Sequence, residues 1–523
     1  MRNSTKSRKA ARLTCPHNDI VEQRDRKEDM MFWKPILLIV VFLINIILWP
    51  QGGLAAELLV GTAVADITPE EPVAISGQFH LRIAKTVETP VTANVIALES
   101  REDGSSCDVA IMVSCDLLYI PSDVLELVRK AIRTRLPDLD TKKIFLNGTH
   151  THTAPVLMLD KYPIPRKGVM QVEQYRTFLA KRVADAVVKA WNKRSKGSVT
   201  WGLSHAVVAY NRRAVYIDGS ARMYGRTDTA EFQNLEGYED HDINTLFFWN
   251  DLGELVGAIV NVSCPSQEVE SRSAVNADFW HPVREALRER YGEQLCILAW
   301  TGASGDQSPH LMYRKAADER MRKLRGLNRL DEIARRIVRA VDDAYEAVKN
   351  DRHTNVPLIH KVETIRLPMR LVTEAEYTEA KEAVEKASAQ IKQNSKAVMR
   401  EYRRMKWYGM TISRFDRQRT EPKPSYEMEL HVLRIGDVAI CTNSFELFTD
   451  YGIRIKARSK AVQTFVVQLV GPGTYLPTEK AVRGGHYSAV VHSSLVGPEG
   501  GNVLVDRTVN VINSLWMKPT ELR

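Results

Sequence analysis

Short runs of hydrophobic residues, many of them alternating with polar ones, recur along the chain from about residue 57 onward. Alternation with a period of two is typical of half-buried β-strands, and short continuous apolar runs are typical of fully buried ones. The pattern predicts a hairpin over 244–262 and strands at 57–66, 91–99, 109–113, 143–146, 198–210, 294–300, 427–441 and 464–469.

Longer amphipathic stretches separate these runs, and their apolar residues recur every three to four positions. This spacing is typical of helices that cover a sheet. It predicts helices at 122–135, 174–193, 278–291, 316–347, 373–401 and 444–459, of which 373–401 is strongly polar and is expected to project as an insertion. Alternating strands and helices favour a mixed α/β fold of layered sheets flanked by helices. Without repeats or a visible boundary, residues 57–523 are expected to form one domain.

Two histidines, His150 and His152, follow the predicted strand at 143–146, which closes a β-α-β unit. In extended backbone, side chains two residues apart project from one face, so both imidazoles are expected together at the end of the strand. Open α/β sheets bind their ligands at such strand ends, and imidazole is the commonest metal ligand in proteins. The pair therefore predicts a metal or catalytic site, with two surface histidines in a Thr-rich loop as the alternative.

Composition limits the class of protein. The 523 residues are 44% hydrophobic and 26% charged, as in ordinary globular proteins. The formal net charge is +9, but the first 34 residues hold nine Lys or Arg against five Asp or Glu and so supply four of these charges. No basic ladder with interleaved aromatic residues marks a nucleic-acid surface, so no nucleic-acid partner is expected. The densest basic run, residues 400–419, is expected to be a solvated face, with contact to an anionic membrane surface as the alternative.

The N-terminal segment predicts export. Residues 36–48 are almost wholly apolar, Lys34 precedes them, and small residues at 54–56 offer a cleavage site. Such a short apolar core is typical of a secretory signal rather than of a membrane span. The polar lead before it is too long for a signal, unless translation starts at Met30 or Met31. A membrane anchor over residues 36–50 is the alternative.

A series of short motifs occupies residues 58–515 in a fixed order. They are the segment 59–69, Gly148-Thr149-His150-Thr151-His152, Asn211-Arg212, Gly305-Asp306-Gln307-Ser308-Pro309-His310, Glu446, Tyr475 and Tyr487. In this order they resemble the N-terminal catalytic domain of neutral/alkaline ceramidases, which are zinc-dependent amidases that split ceramide into sphingosine and fatty acid. The resemblance implies the ceramidase fold and the hydrolysis of an amide bond.

The resemblance also implies roles for single residues. His150, Glu446 and Tyr475 would be zinc ligands, while His152, Arg212 and Tyr487 would handle the carbonyl oxygen and the transfer of protons. The chemistry is consistent with these roles, because zinc with an open position makes water nucleophilic at neutral pH. Arginine, imidazole and phenol groups are suitable donors to a developing oxyanion.

Ser308 has two interpretations. The turn Gly305-Asp306-Gln307-Ser308-Pro309 presents its hydroxyl either as a nucleophile beside an imidazole base or as a group that positions the substrate. No Gly-x-Ser-x-Gly elbow surrounds it, which favours an essential positioning role.

One departure from the family concerns the second histidine ligand. Cys264, in Ser263-Cys264-Pro265-Ser266, stands where that imidazole belongs. A thiolate binds zinc well, so the resemblance predicts one zinc ion per chain held by His150, Cys264, Glu446 and Tyr475. The alternatives are that His281 replaces the ligand, or that Cys264 is a small buried residue in a site that has lost or weakened its metal.

A second departure concerns the substrate. The family usually carries a β-sandwich domain after the catalytic one, whereas a bare catalytic domain is expected here, and Thr153-Ala154-Pro155 replaces the Ser-Gly-Pro of the family motif. The predicted substrate is a lipid-like N-acyl compound of sphingoid type. Another N-acyl or ester substrate is the first alternative, and a non-catalytic binding protein with a degenerate metal site is the second. The sequence does not predict an oligomeric state.

Overall fold

Two β-sheets packed face to face form the centre of the fold. The computed structural model describes residues 56–394 and 397–517, and the predicted signal or anchor segment lies outside them. The larger sheet has the strand order β8-β7-β6-β5-β1-β2-β3-β4, with β9 paired to β1. Its strands are β1 (Ala56–Asp66), β2 (Thr92–Glu102), β3 (Ser105–Cys115), β4 (Ile144–Gly148), β5 (Ser195–His205), β6 (Asp242–Asn250), β7 (Leu255–Val262), β8 (Cys296–Thr301) and β9 (Asn355–Val356).

The pairing in the larger sheet is mostly antiparallel. Only the β3–β4 and β7–β8 pairs along this strand order are parallel. The second sheet has four strands, of which the last two are parallel. They are, in spatial order, β10 (Leu358–Pro368), β11 (Ser425–Ile435), β12 (Val438–Thr442) and β13 (Gln463–Val467).

Helices cover the outer face of each sheet. In chain order the described helices are α1 (Ser122–Arg133), α2 (Val172–Asn192), α3 (Trp280–Tyr291), α4 (Lys315–Leu324), α5 (Arg329–Val348), α6 (Glu374–Gln393), α7 (Val398–Thr420), α8 (Thr449–Arg458), α9 (Glu479–Gly484) and α10 (Pro498–Ser514). Among the described residues, none of the helices is long and apolar enough to cross a membrane.

Period-two alternation explains the layers. In β2, Val95 and Ala97 pack against residues of α1 and α2, whereas Ile96 and Leu98 pack against the second sheet. The central strand β2 is thus apolar on both faces, as expected for a sheet buried between two layers. The order of layers is helices, larger sheet, smaller sheet, helices, and the outer helices of the smaller sheet are α8 and α10.

Short strands connect these layers near the ends of the sheets. They are Val73–Ile75 with Arg82–Ala84, Tyr210–Asn211 with Gln307–Ser308, Glu446–Leu447 with Tyr475–Leu476, and the three-stranded group Arg213–Tyr216, Ala221–Met223 and Phe232–Leu235. Short 3-10 helices lie at Thr141–Lys143 and Val491–Ser493.

The mixed α/β architecture with layered sheets and flanking helices is confirmed, but three predicted elements differ in extent. The stretch 316–347 is two helices, α4 and α5, because Gly326 takes a positive φ of 68° between them. The stretch 444–459 begins with the strand Glu446–Leu447 before α8. The predicted insertion is longer than 373–401, since α6 is followed by α7, which contains the basic run 400–419.

Candidate functional site

A tight turn after β4 brings the two motif histidines together. β4 ends at Gly148, and His150 has a φ of 68°, in the left-handed region. The expectation that both side chains project from extended backbone is therefore wrong, although the rings do meet, with centroids 4.9 Å apart. The His150 N–H donates to the carbonyl of Leu117 at 2.9 Å. Its Nδ1 lies 3.0 Å from the carbonyl of Leu118, and this contact orients the ring so that Nε2 faces the site.

Nε2 of His150 faces Glu446. The distance from Nε2 to Oε2 is 3.5 Å, and Glu446 is the cross-strand partner of Tyr475 in the short parallel pair of strands. Burial opposes ionisation of Glu446, but His150, the Arg212 charge and a hydrogen bond from Tyr475 outweigh it and lower the pKa of this carboxyl. The site thus brings an imidazole, a carboxylate and a phenol together.

Arg212 lies behind these groups. Its side chain is buried, and one amino group donates to the Tyr475 hydroxyl at 3.2 Å and to the Gly305 carbonyl at 2.9 Å. The same group lies 4.0 Å from Glu446. The guanidinium therefore orients the phenol and compensates the carboxylate charge.

His152 pairs with a carboxylate that the sequence motifs do not include. Its Nδ1 lies 2.9 Å from Oε2 of Glu270. Burial lowers the pKa of His152 to about 4 against the raising effect of Glu270, so the imidazole is neutral at pH 7. Burial also opposes ionisation of Glu270, but His152, His310 and Arg212 together lower its pKa to about 2. The pair at neutral pH is therefore a neutral imidazole beside a carboxylate.

Arg82 and Gly77 fix the place of this pair. The Arg82 guanidinium donates to the main-chain carbonyls of His152 and Glu270, at 2.5 Å and 2.6 Å. Gly77 has a φ of 101°, and a Cβ there would lie 2.4 Å from the Cβ of His152. The backbone at residue 77 can approach the imidazole this closely only without a side chain.

Ser308 is fully buried and is surrounded by donors. The Tyr224 hydroxyl donates to its Oγ at 2.9 Å, the Gln267 amide at 3.3 Å, and the N–H of His310 at 3.1 Å. These contacts include no imidazole ring that would take a proton from Oγ. The arrangement supports a positioning role for Ser308 rather than a nucleophilic one.

Cys264 lies in an apolar cluster, not among the groups around Glu446. Its Sγ contacts the carbonyls of Val208 at 3.7 Å and Pro265 at 3.6 Å, and the cluster includes Phe279 and Trp280. Burial raises the pKa of this thiol well above its ordinary value, which keeps it protonated. His281, the other candidate ligand, is half-buried on α3. The structure thus brings His150, Glu446 and Tyr475 together and places Cys264 and His281 elsewhere.

A cavity of about 430 Å³ opens in front of His150, His152 and Glu446. Tyr475 and Tyr487 also line it, with their ring centroids 5.6 Å apart. Helix α7 forms part of the wall. The remaining lining is largely aromatic and aliphatic and includes Phe79, Leu118, Tyr119, Met158, Leu159, Trp407, Met410 and Leu495.

His150, Glu446 and Tyr475 offer the kinds of donor atom that a zinc ion takes. A catalytic zinc takes three protein ligands and keeps one position open. His150 fits this role, because a metal-bound imidazole usually donates its other N–H to a carbonyl or carboxylate. Glu446 and Tyr475 add two oxygen donors. Among the residues that the structure describes, no group of three or more His, Cys, Asp and Glu side chains is arranged to hold a metal ion, so the phenol is needed to complete a set of three.

Solved structures with the same architecture are ceramidases. A ceramidase complexed with C2 superposes with a TM-score of 0.64 and 15% identity, over 88% of this chain and 75% of the other. Neutral ceramidase from Pseudomonas aeruginosa gives a TM-score of 0.63 and 16% identity, over 88% of this chain and 74% of the other. No protein-family model and no curated protein matches the sequence. The chain therefore has the neutral ceramidase fold, and the resemblance seen in its motifs is confirmed at the level of the fold.

Several residues of the site were not predicted. Glu270, Lys161, Arg403 and Trp407 all lie at the His152 pair or on the cavity wall. The spacing of Arg403, Trp407 and Met410, four and then three residues apart, is the one signal that places a face of α7 toward the site.

Proposed function

We propose that this protein is a hydrolase that cleaves the amide bond of an N-acyl lipid. The observation that carries the proposal is the convergence of His150, Glu446 and Tyr475 with the His152–Glu270 pair beside a cavity of about 430 Å³. The neutral ceramidase fold supports the same reaction class. An amide is a difficult bond to hydrolyse, and it requires an activated water, a donor to the carbonyl oxygen and a proton for the leaving amine.

One zinc ion per chain belongs to the proposal. His150, Glu446 and Tyr475 would hold it, and bound zinc supplies a Lewis acid that makes water nucleophilic at neutral pH. We propose that Cys264 is not a ligand. Its contacts with main-chain carbonyls and its apolar surroundings support a packing role, with a thiol that stays protonated.

The other groups have roles that follow from their positions. His152 is neutral at pH 7 and oriented by Glu270, so it can accept a proton and pass it to the leaving nitrogen. Burial raises the pKa of Tyr487, which keeps the phenol protonated as a donor to the carbonyl oxygen on the cavity wall. Arg212 and Ser308 act as positioning residues, since each contacts other side chains of the site.

The cavity wall supports a lipid-like substrate. A pocket of this size accepts a drug-sized molecule, and its aromatic and aliphatic lining suits an acyl chain. Apolar side chains such as Phe79, Leu118 and Trp407 remove apolar ligand surface from water. This burial stabilises the complex by about 25 cal/mol per Å².

Metal content and hydrolysis test the proposal on the full chain. Wild type, His150→Ala, Cys264→Ala and His281→Ala are purified, and their zinc is measured by elemental analysis beside release of fatty acid from an N-acyl sphingoid amide. We expect about one zinc per chain in wild type, retention in Cys264→Ala and His281→Ala, and loss in His150→Ala. Activity should fall by about 100-fold or more in His150→Ala, as for loss of a central catalytic group.

Three results would contradict the proposal. Folded wild type without zinc would remove the metal, and zinc-loaded wild type without amidase activity would remove the reaction. Loss of zinc in Cys264→Ala, with unchanged circular dichroism, would make the sulphur a ligand after all.

A further inference from the structure

Three cations line the same cavity as His150 and Glu446. They are Lys161, Arg403 and Lys406, and the last two come from helix α7. Within the described part of the chain, none of the three has a carboxylate partner within 4.0 Å. Their neighbours are aromatic, since Nζ of Lys161 lies 5.2 Å from the Tyr119 ring centre and the Arg403 guanidinium lies 5.7 Å from that of Phe79.

Lys161 and Arg403 are half-buried and Lys406 is exposed. Two fully buried cations of this chain, by contrast, each have a carboxylate partner. Arg213 lies 2.7 Å from Glu236, and Arg284 lies 2.8 Å from Asp116. Such pairing is the rule, because a charge removed from water is costly unless an opposite charge or hydrogen bonds compensate it. Half-buried cations at a cavity that have no carboxylate partner therefore indicate that an anion comes from outside the chain.

The carboxylates at the cavity do not fill this role. Glu446 is engaged with His150 and the Arg212 charge. Asp160 is an exposed residue at the cavity and is outnumbered by the three cations. Burial, and then the Arg403 charge, lower the pKa of Lys161 to about 7.

We propose that the substrate of this site is an N-acyl compound whose amine half carries an anionic group, a carboxylate or a phosphate, bound by Lys161, Arg403 and Lys406. The proposal rests on the proposed amide hydrolysis and narrows its substrate class. A neutral sphingoid amide would leave all three cations unpaired, whereas an N-acyl amino acid or a phosphorylated N-acyl amine would pair them. Arginine is well suited to this role because its planar fork binds carboxylate and phosphate with two hydrogen bonds.

The test uses two substrates that differ in charge alone. N-dodecanoylglycine carries a carboxylate, and N-dodecanoylglycinamide has the same length without it. Release of dodecanoate is followed for the full-length wild type, Arg403→Gln, Lys406→Gln and the control Arg404→Gln, which changes the exposed next residue of α7 outside the cavity lining. We expect wild type to prefer the glycine form by about tenfold or more in kcat/KM, as for a hydrogen bond to a charged group. Arg403→Gln and Lys406→Gln should reduce this preference and Arg404→Gln should keep it.

Equal cleavage of both forms by wild type would overturn the anionic substrate and leave the amidase intact. If wild type cleaves neither form nor a sphingoid amide, the proposed function fails. In that case, calorimetry with the keto analogues of both compounds, in which CH2 replaces the amide NH, still tests whether the cavity binds an anionic group. Tighter binding of the keto acid than of the keto amide, lost in Arg403→Gln, supports the anion site, and equal binding overturns it. A third outcome is weaker inhibition by dodecanoate in Arg403→Gln with an unchanged substrate preference. It would mean that the cations bind the carboxylate of the fatty-acid product, and it would also overturn the proposal.

Discussion

A single hydrogen atom in place of a side chain sets the position of His152. Gly77 lies against the imidazole with a φ of 101°, while Arg82 binds the carbonyls of His152 and Glu270 from the other side. The histidine is thus confined between a close backbone and a buried guanidinium. Its contact with Glu270 follows from this confinement rather than from any local motif.

Gly77→Ala should reduce catalysis far more than the control substitution Gly168→Ala does. A Cβ at residue 77 would lie 2.4 Å from His152 Cβ, so the imidazole must move, and a shift of about 1 Å costs roughly 100-fold in rate. Gly168→Ala is the matched control, because Gly168 also has a positive φ of 71° but a Cβ there meets nothing within 4 Å. Each variant should lose about 1–2 kcal/mol of stability from the left-handed backbone, and Gly77→Ala about 1–3 kcal/mol more from the overlap with His152. Urea unfolding and kcat/KM are measured for both, and equal activities would contradict the role of Gly77.

Local sequence predicts some of these residues and not others. His150 and His152 could be predicted as site residues because they follow a strand in one short motif. Glu446 and Tyr475 could be predicted because they occur in the order of a known family. Glu270 was not, since its place beside His152 depends on Arg82, which lies 188 residues before it in the chain. Cys264 is the opposite case. Its sequence position predicts a metal ligand, but its sulphur lies in an apolar cluster.

At the scale of elements, α7 has two dissimilar faces. One face places Arg403, Trp407 and Met410 on the cavity wall, and the other carries exposed basic residues. The Trp407 ring contacts Phe79, Tyr487 and His492, at centroid distances of 5.6, 5.9 and 5.2 Å. The expectation of a merely solvated face for 400–419 is therefore wrong for one side of the helix. Only a few apolar residues in this highly charged run have helical spacing, so the sequence pattern did not reveal the buried side of the helix.

Trp407→Ala should raise KM for a long-chain N-acyl substrate by roughly tenfold, with a smaller effect on kcat. Each aromatic pair contributes about 0.5–1.5 kcal/mol, and 1.4 kcal/mol corresponds to a factor of ten. Met399→Ala, an exposed change on the same helix, is the control. An unchanged KM with a folded Trp407→Ala protein would mean that α7 does not form part of the substrate site.

At the scale of the whole molecule, the interface between the sheets contains a buried polar pair. His360 and His431 are fully buried, with Nε2 of the first 3.0 Å from Nδ1 of the second. Burial, then the neighbouring ring and Lys143, lower the pKa of His360 well below its ordinary value, and burial also lowers that of His431. Arg129, Glu429 and Asp108 are further charged groups at this pair. Both rings are neutral in the folded protein at pH 7.

Stability should therefore fall as the pH falls below about 6.5. There the unfolded histidines bind more protons than the folded ones, which costs up to about 1.4 kcal/mol per pH unit for each histidine. Urea unfolding between pH 7.5 and 5 checks this. His431→Gln should flatten the dependence, and His205→Gln, at an exposed histidine on β5, should leave it as in wild type. An unchanged slope in His431→Gln would contradict the assignment.

Most of the layers were predictable and the pairing of strands was not. Alternation in 57–66 and 91–99 predicts strands because each face of a strand meets its own environment. The order of strands is different, since β1 pairs with β2, β5 and β9, whose positions in the chain are far apart. The break between α4 and α5 was not predicted, because it follows from the positive φ of Gly326, which the periodicity of apolar residues does not detect.

The place where α6 and α7 join the fold has a consequence for the wall of the cavity. Pro368 at the end of β10 and Ser425 at the start of β11 are direct cross-strand partners, so the two strands need only a tight turn between them. The helical hairpin of α6 and α7 therefore takes the place of a short turn between β10 and β11. His150, Glu446 and Tyr475 lie on other strands and loops. Replacing the hairpin would therefore leave those strands and loops in place, while it would change the part of the cavity wall that Arg403, Trp407 and Met410 supply.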